Sequence, residues 1–293
     1  MITPENFADA LRVMGFAKNG NLYEKEFPAF GVSLKANLKA QKLMYPEQIK
    51  GRDRNDFYDE SHKENLVVFE CVHRLLEKGY RPEHIELEKE WHLGHDAKSG
   101  RADICVTNAD GKMLFIIECK TTGKEYKKAF DDTKSDGGQL FSYWQQEKSC
   151  EWLILYASDY ENGNITYTTE SIDCRDDKNI INSAKKDSTI KLYQNAHAVE
   201  ELFDVWDETY EKRLCGDVVL REDTVAYKIG LKPLRKKDLK DFAENDKIVN
   251  RFEEILRHNN VSDKENAFNR LVALFICKLV DEIQKGEQDI VEF

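Results

Sequence analysis

The chain has 293 residues, of which 34% are charged and 41% hydrophobic, and its formal net charge at pH 7 is -11. This length accommodates one large domain or two ordinary ones, and we expect two. No apolar run is long enough to cross a bilayer, and the first residues lack the features of a secretory signal, so we expect a cytoplasmic protein without a membrane partner.

The acidic balance ordinarily argues against a nucleic-acid partner, because phosphate neutralisation supplies most nonspecific affinity. Local basic clusters can override the total charge. The seven cysteines include no Cys-x-x-Cys pair. This favours reduced thiols over a disulfide framework or a cysteine-built zinc site.

The first predicted elements are helices. Thr3-Pro4 has the pattern of an N-cap and first helical residue, and residues 17–50 show no clear period. Ser61 with Glu64 three residues later has capping-box spacing, which predicts a helix over residues 62–78. That helix ends at Gly79.

Runs rich in Ile, Val, Leu, Tyr and Trp predict strands after this helix. They cover residues 85–91, 101–107, 113–119, 152–158 and 165–169. Helices are predicted between the third and fourth strands, over residues 123–134 and 138–148. The sequence therefore predicts a mixed α/β domain over residues 1–175.

A mainly helical region is predicted over residues 176–293, after a polar linker over residues 173–189. Two segments of this region have apolar side chains at helical spacing. The first contains Leu202 and Trp206, and the second follows Ser262.

Asp110-Gly111 favours a two-residue hairpin turn between the strands 101–107 and 113–119. Asp103 and Glu118 are equidistant from this turn. They would stand opposite each other with Cβ atoms about 5 Å apart, and Lys120 would share their face. A longer loop would shift this pairing, so the register stays open at this point.

Two carboxylates at this distance repel each other by several kcal/mol in a poorly solvated site. A divalent ion resolves the conflict, and oxygen ligands at close range suit Mg²⁺ or Mn²⁺. Lys120 would hold a phosphate or stabilise an attacking hydroxide. The alternative is that Glu118 and Lys120 are only a charged strand exit, since Glu125 and Lys127 repeat the Glu-x-Lys pattern in a segment that needs only solvent.

An aspartate followed by Glu-x-Lys at the end of the next strand resembles the core motif of the PD-(D/E)xK nuclease superfamily. The resemblance assigns Asp103, Glu118 and Lys120 to the catalytic site and implies a mixed sheet flanked by helices. In that family a preceding helix often supplies another metal-binding acid. Glu64 is the matching residue, with the capping box as its alternative role.

Gln139 and Tyr143, four residues apart, share one face of the predicted helix 138–148. Gln-x-x-x-Tyr resembles the motif that accompanies the nuclease core in RecB-like nucleases and in the R subunits of type I restriction enzymes. The resemblance implies that both residues support the site or the DNA backbone. An ordinary amphipathic helix is the alternative.

Two basic clusters are candidate DNA-binding residues, although such runs are usually solvated faces. They are Lys124, Lys127 and Lys128, and Lys232, Arg235, Lys236, Lys237 and Lys240. His92, His95 and Asp96 have metal-ligand spacing, but a surface loop is the better interpretation.

The C-terminal segment 267–284, with residues 289–293, resembles the helical segment before the catalytic domain of N6-adenine DNA methylases. No Asn-Pro-Pro-Tyr/Phe motif or glycine-rich cofactor loop follows. The resemblances together imply a Mg²⁺-dependent DNA endonuclease domain of a restriction–modification enzyme, with a methylase domain and a specificity domain or subunit as partners.

Two other functions stay open at this point. One is a stand-alone repair or recombination nuclease of the same fold. The other is a noncatalytic DNA-binding or assembly module.

Overall fold

The computed structural model describes residues 1–91, 100–221, 226, 236, 276–284 and 286. The chain divides into two compact units, Met1–Gly230 and Leu231–Phe293. In the second unit the described residues 276–284 are helical. Among the described residues, no helix combines the length and the apolar character that crossing a membrane requires.

The first unit opens with a short helix and a four-stranded antiparallel sheet in the order β1-β2-β3-β4. The elements are α1 (Phe7–Val13), β1 (Ala17–Asn19), β2 (Leu22–Phe27), β3 (Val32–Asn37) and β4 (Lys42–Met44). The sequence does not predict this sheet because its strands are short and carry many charges. Gly20 and Gly31, both at positive φ, lie in its first two turns and were the available signal.

A long helix, α2 (Glu64–Lys78), follows and is buried over most of its length. It ends at Gly79, as predicted, but two predicted helix starts are wrong. The N-cap of α1 is Asn6, not Thr3. The N-cap of α2 is Lys63, and the backbone N–H of Ser61 instead donates to Asp59 Oδ1 at 2.8 Å.

A second sheet of five strands forms the centre of the unit, in the order β5-β6-β7-β8-β9. Its elements, with the two crossover helices, are β5 (Ile85–Glu90), β6 (Arg101–Thr107), β7 (Met113–Cys119), α3 (Lys124–Asp136), α4 (Gly138–Gln146), β8 (Trp152–Glu161) and β9 (Asn164–Asp173). Only β7 and β8 pair in parallel, and α3 and α4 connect them. The five predicted strands and two predicted helices are confirmed, and so is the mixed α/β class.

Side chains pack on both faces of the five-stranded sheet. One apolar core contains α2 and the inner side chains of the four-stranded sheet, such as Tyr23 and Leu34. The other contains α4 and later residues such as Trp206. All seven residues of β7 are buried between these cores, which explains its nearly continuous apolar sequence.

The segment 173–189, predicted as a linker, lies within the first unit. It contains the helix α5 (Lys178–Ala184). The carboxylate of Asp176 accepts hydrogen bonds from the backbone N–H groups of Tyr193 and Gln194, at 2.9 and 3.0 Å. The linker prediction is therefore wrong, because its polar side chains satisfy backbone groups.

The last described elements of the first unit are α6 (Val199–Asp204) and a π-helical turn over Val205–Thr209. Leu202 and Trp206 are buried, as their helical spacing predicts. The division into a nuclease domain over residues 1–175 and a methylase-like region over residues 176–293 stays a prediction.

Candidate active site

In the hairpin between β6 and β7, the backbone N–H of Asn108 donates to the carbonyl oxygen of Lys112 at 2.9 Å, which leaves a three-residue loop over residues 109–111. The predicted two-residue turn at Asp110-Gly111 is therefore wrong. The side-chain Oδ1 of Asn108 accepts from the backbone N–H groups of Asp110 and Lys112, both at 2.9 Å. Gly111 has a φ of +77°, which favours glycine. Asn108 therefore stabilises the longer loop with its own side chain.

The register at the far end of this hairpin is nevertheless the expected one. Thr107 pairs with Met113, whereas Val106 pairs with Phe115, so Leu114 is an extra residue in β7. This bulge offsets the additional loop residue. Ile104 then pairs with Ile117, which sets Asp103 and Glu118 opposite each other.

Asp103 and Glu118 are both buried, with 8% and 3% of their surfaces exposed. The backbone N–H of Cys119 donates to Asp103 Oδ2 at 2.7 Å. Glu118 lies where β7 pairs in parallel with β8, next to Leu155. The two carboxylates thus lie at the carboxyl end of the central strand of the sheet.

Lys120 lies between two carboxylates at this end of β7. Its Nζ is 2.7 Å from Glu118 Oε1 and 3.2 Å from Glu64 Oε1. Only 14% of the Lys120 side chain is exposed. Glu64, in the first turn of α2, therefore faces the site, and the capping-box alternative for it is wrong.

From α4, Tyr143 contacts Glu118, and Gln139 contacts Tyr143. The Tyr143 hydroxyl lies 2.8 Å from the carbonyl oxygen of Arg101 and 3.1 Å from Glu118 Oε2. Its single hydrogen can serve only one of these acceptors at a time. Gln139 Nε2 donates to the same hydroxyl at 3.2 Å. The structure thus brings all six predicted catalytic residues together.

Burial and mutual repulsion act on the carboxyl groups of this cluster. Burial, followed by the charge of Glu118, raises the pKa of Asp103 well above its ordinary value. Burial also raises the pKa values of Glu118 and Glu64, against the opposing effect of Lys120. Such clustering of perturbed carboxyl groups is typical of functional sites.

The pKa of the Lys120 ammonium group is also raised, which for a lysine favours the charged form. Burial alone would lower its pKa, but the charges of Glu118, Asp103 and Glu64 outweigh burial and raise it. Burial and the charge of Glu118 likewise raise the pKa of Tyr143. Lys120 is therefore charged and Tyr143 is a neutral hydrogen-bond donor at neutral pH.

The donor set of the cluster fits a hard divalent ion. Asp103, Glu118 and Glu64 supply carboxylate oxygens, which Mg²⁺ and Mn²⁺ prefer. In the described part of the chain, however, no three His, Cys, Asp or Glu side chains are arranged to hold an ion together. Mg²⁺ is commonly bound by one or two carboxylates with water, so Asp103 and Glu118 meet its requirement.

The sequence does not indicate two further residues beside the site, Glu88 and Arg101. Glu88, within β5, has a φ of +52°, and its carboxylate pairs with Nε of Arg101. The charge of Glu88 also contributes to the raised pKa of Glu64. Nothing in the sequence signals a positive φ at a glutamate within a strand.

The first predicted DNA-binding cluster lies on α3, where Lys124, Lys127 and Lys128 are exposed. Of the second cluster, Lys236 is described, whereas Lys232, Arg235, Lys237 and Lys240 lie outside the described residues. His92, His95 and Asp96 also lie outside them, as does most of the methylase-like segment. The DNA-binding roles of both clusters stay predictions.

The seven cysteines form no disulfide. Cys119, next to Glu118, is fully buried and packs in the core that contains α2. Burial, with smaller effects of Cys71 and nearby carboxylates, raises the pKa of its thiol well above the ordinary value. A neutral thiol is a poor nucleophile, so Cys119 has a packing role.

A cavity of about 520 Å³ lies elsewhere in the first unit, lined in part by Tyr193, Trp206 and Tyr210. It contains none of the predicted site residues. The Asp176 carboxylate in its wall is occupied by backbone N–H groups and by the Tyr210 hydroxyl. The carboxylate–lysine cluster is therefore the stronger candidate site.

Comparison with known families agrees with this location. Residues 63–168 match the family model described as the type I restriction enzyme R protein N terminus. The matched residues include all six predicted catalytic residues. No curated protein matches the chain. The family match supports a restriction-enzyme-like nuclease region within residues 63–168.

Proposed function

We propose that the first unit is a Mg²⁺- or Mn²⁺-dependent nuclease that hydrolyses DNA phosphodiester bonds. One observation carries this proposal. Lys120 Nζ lies 2.7 Å from Glu118 and 3.2 Å from Glu64, beside the buried carboxylate of Asp103. A lysine among three acids at a strand end has the composition of the PD-(D/E)xK site that the sequence resembles.

The charges of the cluster support a bound cation. Asp103, Glu118 and Glu64 carry three negative charges when ionised, and Lys120 offsets one. Asp103 and Glu118 are nearly inaccessible to water, so their repulsion is weakly screened. A divalent ion held by Asp103 and Glu118 would neutralise the remainder, and Glu64 would become a further ligand on leaving its ion pair with Lys120.

Each side chain then has a separate chemical role. A bound Mg²⁺ would polarise the phosphate and lower the pKa of a water molecule. Lys120 would donate to a phosphate oxygen or stabilise the attacking hydroxide. Tyr143, held by Gln139 and the Arg101 carbonyl, would keep the Glu118 carboxylate in position.

The family match supports a role for this nuclease in restriction. We propose that this nuclease is part of a restriction–modification enzyme in the cytoplasm. Sequence recognition would reside in another domain or subunit, and N6-adenine methylation in a catalytic domain beyond the helical region. DNA is then the substrate of the first unit.

The direct test is cleavage of supercoiled plasmid DNA by the full chain. We expect nicking or linearisation with Mg²⁺ or Mn²⁺ and none with EDTA. Lys120→Ala and Asp103→Asn should each reduce cleavage by at least about a hundredfold, about 3 kcal/mol of transition-state stabilisation. Lys112→Ala, an exposed lysine in the turn of the same hairpin, is the matched control and should cleave normally.

A noncatalytic DNA-binding or assembly module is the second candidate. The absence, among the described residues, of a three-ligand metal cluster and the ion pairs of Lys120 with Glu118 and Glu64 favour it. Calorimetric titration of the full chain with Mn²⁺ separates the two. Binding that Asp103→Asn abolishes supports the nuclease, whereas no binding at millimolar Mn²⁺ supports the noncatalytic module.

A further inference from the structure

Arg101 lies at the edge of the carboxylate–lysine cluster. It begins β6, two residues before Asp103, and half of its side chain is exposed. Its carbonyl oxygen accepts from the Tyr143 hydroxyl at 2.8 Å, the same hydroxyl that contacts Glu118. The backbone of Arg101 is thus tied to the site while its side chain reaches solvent.

The partner of Arg101 has an unusual backbone conformation. Glu88 has a φ of +52°, although Leu87 pairs regularly with Ile104 and Lys89 with Ala102 on either side of it. A non-glycine residue in this region costs of order 1 kcal/mol.

The Glu88 carboxylate is nearly inaccessible, with 9% of its side chain exposed. It pairs with Nε of Arg101, and its charge contributes to the raised pKa of Glu64. A buried carboxylate at one edge of a guanidinium restricts its orientation more than a solvated one, because the pair is weakly screened. Glu88 thus aligns Arg101 beside the cluster.

The N–H groups on the two terminal nitrogens of the Arg101 guanidinium are free to donate hydrogen bonds. Nη1 of Arg101 is 3.9 Å from Glu90 Oε1, which is too long for a hydrogen bond. Within the described part of the chain, neither terminal nitrogen of Arg101 has a hydrogen-bond partner. A planar guanidinium with free donors is suited to two-point contact with a phosphate.

We propose that Arg101 binds a phosphate of duplex DNA beside the one being cleaved, and that Glu88 is a positioning residue for Arg101. This inference rests on the proposed nuclease function. It adds a phosphate contact to a site whose own net charge would otherwise repel the DNA backbone. Arg101 contributes binding and register on the strand, not sequence recognition.

The test measures the affinity of the full chain for a labelled duplex oligonucleotide at several NaCl concentrations, with EDTA present. Loss of one phosphate contact reduces the slope of log affinity against log salt by about 0.9. We expect this reduction and about a tenfold loss of affinity for Arg101→Ala. Arg175→Ala is the matched control, because Arg175 is also a surface arginine paired with carboxylates, Asp173 and Glu151.

Glu88→Gln tests the positioning role. It should weaken DNA binding in the wild-type background but have no further effect in Arg101→Ala, since both changes act through one guanidinium. In cleavage assays with Mn²⁺, we expect Arg101→Ala to raise KM more than it lowers kcat. Thermal unfolding should be similar for Arg101→Ala and Arg175→Ala.

The outcomes separate this inference from the function on which it rests. If the wild type binds and cleaves DNA but Arg101→Ala keeps the wild-type salt slope, the phosphate contact is refuted and the nuclease stands. Equal losses for Glu88→Gln in both backgrounds would refute the positioning role. If the wild type neither binds nor cleaves DNA, both proposals are refuted.

Discussion

The backbone N–H of Cys119 donates to Asp103 Oδ2 at 2.7 Å, so the strand that supplies Glu118 also orients the aspartate opposite it. The two acids are therefore held together by β-sheet backbone and not by a flexible loop. An arrangement of like charges held this rigidly is expected to cost stability in the absence of an ion.

The first prediction concerns this cost. Asp103→Asn keeps an oxygen that accepts from Cys119 but removes one of the two facing charges. We expect the free energy of unfolding at pH 7, measured with urea and EDTA, to rise by roughly 1 kcal/mol. Mn²⁺ binding should be lost in the same variant.

Asp173→Asn is the control. Asp173 is the last residue of β9, and its carboxylate pairs with Arg175. That change should leave Mn²⁺ binding intact and should not raise stability. If Asp103→Asn lowers stability instead, the repulsion between the two acids is not the dominant effect.

The second prediction concerns the Tyr143 hydroxyl. Tyr143→Phe removes a buried group that contacts the Arg101 carbonyl, Glu118 and Gln139. We expect a loss of about 1 kcal/mol in the free energy of unfolding. The kcat for DNA cleavage should fall about tenfold, because Glu118 loses a positioning contact.

Tyr193→Phe provides the comparison. The Tyr193 hydroxyl is also buried, but it has no hydrogen-bond partner within the described residues. Removing it should cost little stability and leave cleavage unchanged. Similar effects of the two substitutions on kcat would contradict a specific role for Tyr143.

The third prediction concerns pH and His73. Burial, followed by the charge of Lys25, lowers the pKa of His73 from 6.5 to about 4, although Glu77 acts in the opposite sense. The Lys25 ammonium lies 2.9 Å from His73 Nε2, so the folded state holds a neutral ring. The unfolded chain therefore binds a proton at higher pH than the folded protein does.

The stability from this group is complete above pH 6.5 and is lost as pH falls from 6.5 towards 4, by about 3 kcal/mol in total. The raised pKa values of the buried carboxyl groups act in the opposite sense, so the loss is measured as a difference between variants. In urea unfolding between pH 6.5 and 4, the wild type should lose about 3 kcal/mol more than His73→Gln. His62→Gln, whose histidine is exposed, should behave as the wild type. An identical pH slope in His73→Gln would exclude His73 as its source.

The fourth prediction concerns Gly51, which lies against the edge of β5 near Glu88. It has a φ of +69°, and a Cβ there would lie 1.8 Å from the carbonyl oxygen of Leu87. Gly51→Ala should reduce the free energy of unfolding by about 3 kcal/mol or more, through backbone strain and displacement of β5. Denaturant unfolding measures this loss.

Gly20→Ala separates the effect of backbone strain from the effect of displacing β5. Gly20 has a φ of +62°, but a Cβ there would have no atom within 4 Å. We expect a loss of about 1 kcal/mol from backbone strain alone. Equal losses at the two glycines would mean that the loop yields without disturbing β5.

The three middle strands of the central sheet, β6, β7 and β8, were predictable from the sequence because they are apolar, buried runs. Residues 113–119, for example, are buried throughout. The four-stranded sheet was not, because its strands alternate charged and apolar residues over only three to six positions. Short, half-exposed strands leave a weak periodic signal.

The candidate site was predicted from the spacing of its residues, although two local predictions, a helix cap and a loop length, were wrong. Ser61 does not cap α2, and the turn has three residues and not two. Capping and loop length depend on competing hydrogen bonds, such as those of Asp59 and Asn108, which a sequence does not rank. The ion pair between Glu88 and Arg101 accompanies a positive φ at Glu88, which a glutamate in the sequence does not predict.

The bulge at Leu114 has a consequence for how this hairpin tolerates changes in length. An added loop residue and an unpaired strand residue cancel, so the alignment of the two acids depends on the difference between two irregularities. A chain that loses or gains both irregularities at once would therefore keep the two acids aligned. A single insertion or deletion on either strand would move Glu118 out of reach of Asp103.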